Sequence, residues 1–138
     1  APSIKQVKTS ESEDIQKIAK EIVQYDEDYH LANKSDDIKE LYEQFRDSIL
    51  GLAPDLEVHT KKMYIALRKG KRNYVYMNIG VKQIRIWLNM PFEKLDDPKK
   101  LARDVTNVGH WGNGDCEIVV ADTENLEYIL SLVKQVLK

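Results

Sequence analysis

Apolar residues recur at helical spacing in three stretches of the chain and at every second position in four others. The first helical stretch, Ile15, Ile18, Ala19, Ile22 and Val23, follows Ser10-Glu11-Ser12-Glu13. That tetrad is a capping box, in which serine and glutamate side chains satisfy free N–H groups at a helix start. The pattern predicts a helix ending near Tyr25, then a polar connector from Asp26 to Ser35. Asp37 with Glu40 opens a second helix, with Ile38, Leu41, Tyr42, Phe45, Ile49 and Leu50 as its stripe and Gly51 and Pro54 as its stop. The period then changes to two. Met63, Ile65 and Leu67, then Val75, Met77 and Ile79, then Ile84, Ile86, Leu88 and Met90 predict three strands. The turns between them, Lys69-Gly70-Lys71 and Gly80-Val81-Lys82, are too short for a crossover, so the pairing must be antiparallel. Asp97-Pro98 has the form of a helix start and predicts a short helix over Pro98 to Val105. Cys116, Ile118 and Val120 mark a fourth strand. Asp122 or Thr123 would cap a last helix with Leu126, Ile129, Leu130, Val133, Val136 and Leu137 on its stripe. The expectation is an α+β domain with an antiparallel four-stranded sheet, two N-terminal helices, a short helix before the last strand and a C-terminal helix. Residues 1–11 read as a flexible lead-in and 12–138 as a single domain.

Composition fits that reading. Of 138 residues, 42% are apolar and 32% charged, and the length suits one core. No run approaches the roughly 18 apolar residues of a membrane helix. Cys116 is the only cysteine, which excludes an intrachain disulfide or a cysteine-based zinc cluster and fits a reducing, cytoplasmic setting. The chain starts at Ala1 rather than Met, which points to a processed chain or a piece of a longer protein. No cofactor and no metal site is expected.

The net charge of −2 hides a strong asymmetry. Lys61, Lys62, Arg68, Lys69, Lys71, Arg72, Lys82 and Arg85 fall in a stretch with no acidic residue; the remaining 13 basic and all 23 acidic residues give the rest of the chain −10. Strand positions turned away from the core would be Tyr64, Arg68, Tyr74, Tyr76, Arg85 and Trp87. Aromatic rings stack on bases and cations neutralise phosphates, so the region is a candidate nucleic-acid surface. Its contact residues would be Lys69, Lys71, Arg72, Lys82, Arg85 and Trp87. Packing explains aromatics on strands equally well: helices on both faces would bury the rings and leave the lysines as turn and edge charges, which is the commoner outcome.

A second candidate is the glycine-rich loop with His110, Trp111 and Asp115. Three glycines in that loop allow close backbone approach to an anion, and His110 could serve as a base oriented by Asp104, Asp115 or Glu117. A turn anchored by Trp111 is the more ordinary reading. Asp115-Cys116-Glu117 lacks the following lysine of a metal-dependent nuclease site. Cys116 is expected to act as a small core residue, and His30 and His59 to sit solvated in connectors.

Three runs carry a resemblance: Leu88-Asn89-Met90, Leu95 through Val105, and Val108 through Asp115. Together they resemble an uncharacterised prokaryotic domain family often labelled "predicted transport protein". The resemblance implies a C-terminal module of longer bacterial and archaeal proteins, some with a restriction-endonuclease-like domain upstream. It implies no catalytic residue. The expected function is therefore a non-catalytic accessory module that binds nucleic acid and positions an attached nuclease-like domain, with nucleic acid and that domain as partners and no membrane. The alternatives are a protein-interaction or dimerisation module, and a small-molecule binder or enzyme at the His110–Asp115 loop.

Overall fold

The computed structural model describes residues 25–108 and 114–138. The predicted first helix and the lead-in lie outside the described residues, as do His110 and Trp111. The described elements are α1 (Glu27–Leu31), α2 (Asp36–Leu50), β1 (Glu57–Thr60), β2 (Ile65–Lys69), β3 (Arg72–Ile79), β4 (Ile84–Leu88), β5 (Arg103–Asp104), β6 (Cys116–Val120) and α3 (Leu126–Leu137). The strands form one antiparallel sheet in the order β1-β2-β3-β4-β6-β5. The α+β class stands, but the sheet has six strands, not four.

The two added strands have little periodicity to read. β1 is four residues long with one aliphatic side chain, Val58, and β5 has only two residues. Both sit at sheet edges, where few alternating positions need burial. The helix expected over Pro98–Val105 does not form. Asp97 does cap backbone N–H groups, those of Leu101 and Ala102, and its other partner is the Tyr128 hydroxyl on α3. However, Lys100 adopts φ 54°, a left-handed conformation that ends any helical run, and the segment continues into β5.

The Asp26–Ser35 connector contains α1, capped by the Asp26 carboxylate on the Tyr29 N–H at 2.8 Å. Asn33, at φ 64°, reverses the chain, and Ser35 caps α2 through the Ile38 N–H. Two of the acidic residues here, Asp26 and Glu27, are therefore structural. Glu27 accepts hydrogen bonds from Tyr42 and Arg46, pinning α1 to α2. α3 starts at Leu126 with Asn125 before it, not at a cap from Asp122 or Thr123. Asp122 instead turns the chain by accepting the Glu124 N–H.

The core lies between α2, α3 and one sheet face. Tyr42, Phe45 and Ile49 from α2 and Ile129, Leu132 and Val133 from α3 pack with Leu67, Met77, Ile86, Leu88 and Ile118. Each such aliphatic or aromatic side chain contributes about 1.5–3 kcal/mol by burial. Cys116 belongs to this core, donating to the Met90 carbonyl at 3.4 Å, and burial pushes its thiol up to about 12.

Candidate nucleic-acid interface

Strand register decides where the basic residues go. β3 is eight residues long, so its ends lie about 25 Å apart at about 3.4 Å per residue. The β2–β3 hairpin closes at the Arg72 end, where Lys69 pairs with Arg72. The β3–β4 turn lies at the Ile79 end, where Ile79 pairs with Ile84. Lys69, Lys71 and Arg72 are thus at one end of the sheet, and Lys82 and Arg85 at the other. One continuous surface joining all five, as the sequence suggested, does not form; antiparallel topology sends successive turns to opposite ends.

The β2–β3 tip concentrates four cations, Arg68, Lys69, Lys71 and Arg72, around Gly70. Gly70 has φ 63°, which a two-residue hairpin loop requires and glycine adopts without strain. The Arg72 guanidinium lies 5.0 Å and the Lys69 ammonium 5.5 Å from the centre of the Tyr74 ring. Arg68 donates to the Gly70 carbonyl at 2.9 Å. Among the described residues none of the four forms an ion pair, although Glu57 stands opposite Arg68 in register.

The aromatic half of the expected surface is different. His59, Ala66, Tyr76, Trp87, Glu117 and Arg103 stand in one register row across all six strands, on the face away from α2 and α3. Tyr76 and Trp87 are each only 1% exposed, and the Trp87 indole N–H donates to Glu117 at 3.0 Å. Arg103 pairs with the other Glu117 oxygen at 3.1 Å. Tyr64 packs edge-on against Tyr76, with ring centroids 5.2 Å apart. Trp87 therefore presents no free ring face for a base, and its expected stacking role is corrected to a packing one. Alternation identified its face of the sheet but carries no information on whether that face is covered. Gly114 lies against this row, since a Cβ there would meet the Trp87 Cβ at 2.7 Å.

Of the loop candidates, only Asp115 is described; it is half-buried, and its carbonyl accepts the Val105 N–H at 2.9 Å. Asp104, a proposed orienting acid, is taken by Thr106, whose hydroxyl and N–H hold its carboxyl below the usual range. His30 is buried rather than solvated, and its Nε2–H donates to the Lys61 carbonyl at 2.6 Å; burial lowers its pKa. His59 is half-buried on β1, also with a lowered pKa, first through burial and then through Lys61 and Arg68. Among the described residues, no three His, Cys, Asp or Glu side chains cluster as a metal ion would need, and no helix is long and apolar enough to cross a membrane.

The chain is 51% identical over all 138 residues to an uncharacterised protein of Haemophilus influenzae, and it spans 45% of that protein's length. No solved structure matches it. These likenesses lend no support to the transport label, the C-terminal placement or the nuclease-like neighbour that the motif resemblance implied. Residues 27–135, covering α1 to the last turn of α3, match the family described as a domain of unknown function, DUF5655, and the chain belongs to that family.

Proposed function

We propose that this domain is a non-catalytic accessory module that grips the backbone of nucleic acid and positions the remainder of a longer protein, for which a nuclease-like domain is the partner to test. The observation that carries this reading is the β2–β3 tip: Arg68, Lys69, Lys71 and Arg72 within five residues, free of carboxylate partners among the described residues. Two of the four are held over Tyr74, which lowers the entropy lost on engaging a phosphate. With Trp87 and Tyr76 buried, the contact is electrostatic and tolerant of sequence. The share of the Haemophilus protein that the chain spans fits a module within a longer polypeptide.

The test is fluorescence anisotropy with single- and double-stranded DNA and RNA. Four phosphate contacts give a slope of about −3.6 in log K against log salt for duplex, so affinity falls about 150-fold between 50 and 200 mM salt. Absence of binding to any of the four at 50 mM salt refutes the proposal. A second reading, self-association, is favoured by β1, which among the described residues pairs only with β2 and leaves its outer edge for another strand. It requires a mass that rises with concentration in light scattering.

A further inference from the structure

The opposite end of the sheet carries a second group of cations in a different setting. The β1–β2 and β3–β4 turns lie side by side there, tied by the Asn78 side-chain amide donating to the Met63 carbonyl at 3.1 Å. The first turn bears Lys61 and Lys62, and the His30 ring anchors its Lys61 carbonyl. The second bears Lys82, followed by Arg85. Between Asn78, Gly80, Val81, Lys82, Gln83 and Arg85 lies a recess of about 510 Å³. Its shape depends on Gly80, because a Cβ there would sit 2.8 Å from the Gln83 carbonyl oxygen. Val81, at 73% exposed, and Met63, at 42%, add apolar surface beside the charges. Asp122 and Glu124 follow β6 at this end but line a separate recess with Asn125, and neither pairs with Lys82 or Arg85.

The geometry points to a phosphate-binding pocket on the β3–β4 turn, separate from the β2–β3 tip, that takes one nucleotide unit by its phosphate. Arg85 supplies a planar fork of donors and Lys82 a mobile point charge, the pair that suits a phosphate oxygen cluster. Lys61 and Lys62 add long-range attraction. The volume falls within the roughly 300–1,000 Å³ of small-ligand pockets, a size that suits one phosphate-bearing group. Val81 and Met63 are placed to cover the sugar or base. The nucleotide could be free or the end of a strand, and both present the same chemistry. The pocket stands whether or not the β2–β3 tip binds nucleic acid, because it uses none of the tip residues.

The test is an amide NMR titration of the full chain with inorganic phosphate, adenosine monophosphate, and a tetranucleotide with and without a 5′-phosphate. Shifts should centre on Gly80 to Arg85, and the mononucleotide should bind more tightly than phosphate. A phosphorylated tetranucleotide that gains about tenfold from its 5′-phosphate and binds more tightly than the mononucleotide assigns a strand end; a mononucleotide that binds more tightly than the phosphorylated tetranucleotide assigns a free nucleotide. Lys82→Gln/Arg85→Gln should weaken binding at least about tenfold with the melting temperature unchanged. Lys69→Gln/Lys71→Gln should leave it unaltered. Shifts confined to the β2–β3 tip, or no response to any of the four ligands at millimolar concentration, would overturn the pocket. The first and second of these outcomes leave duplex binding by the tip to be judged by its own salt dependence.

Discussion

Replacing Trp87 by phenylalanine separates a packing tryptophan from a base-stacking one. The side chain is 1% exposed, so the substitution removes several buried ring atoms that neighbours cannot fully replace. It also removes the indole N–H that donates to Glu117, a carboxylate in a residue only 8% exposed. Arg103 still pairs with the other carboxylate oxygen, so the charge keeps one partner. A hydrogen bond to a charged group is worth about 1.5–3 kcal/mol, and the smaller ring costs about another 1 kcal/mol. The expected loss is about 2.5–4 kcal/mol, or a melting temperature lower by about 9–14 °C in a domain of this size. Urea unfolding followed by circular dichroism measures it, with Glu117→Gln and the double variant completing a cycle that isolates the Trp87–Glu117 interaction. Nucleic-acid affinity should be the same for folded wild type and variant. A stability loss under about 0.5 kcal/mol with a large loss of affinity for single strands would refute the burial argument and restore the stacking role.

Three further outcomes follow from buried or clamped groups. The pKa of His30 is lowered in the folded state, so the unfolded chain binds the extra proton; stability should fall as pH drops through about 6.5 toward the lower folded value, and His30→Asn should flatten that part of a urea-midpoint profile. Cys116, with its thiol pushed up to about 12 in the core, should resist alkylation at pH 8 until urea unfolds the domain; fast labelling of native protein, read by mass spectrometry, would contradict its placement. Asp97→Ala should cost about 1–3 kcal/mol in urea unfolding, since it strips partners from the Leu101 and Ala102 N–H groups and from Tyr128 at once.

The helical stripe of α2 was legible because five of its residues, Ile38, Leu41, Tyr42, Phe45 and Ile49, face one core and alternate with polar residues at a helical period. β2, β3, β4 and β6 were legible for the same reason at period two. β1 and β5 were not, because an edge strand of four or two residues buries too little to impose a pattern. Asp97-Pro98 misled because an aspartate caps a turn with the same hydrogen bonds it gives a helix; the positive φ at Lys100, which decides between them, has no signature in a lysine. For the candidate site, the run of cations was visible in the sequence, but its division between two ends required the lengths and order of the strands. Alternation placed Trp87 opposite the core correctly and left its burial open. The bond between Asn78 and Met63 that joins two turns depends on register alone.

The β2–β3 tip carries the proposed phosphate grip, and one comparison addresses it directly. Anisotropy titrations of the wild type, Lys69→Glu/Lys71→Glu/Arg72→Glu and the control Lys134→Glu against one duplex at 50 mM salt should show the tip variant weaker by at least about a hundredfold, with a salt slope shallower by about 3, while the control changes little. Equal weakening by tip and control variants, or an unchanged slope, would contradict a phosphate grip at this hairpin.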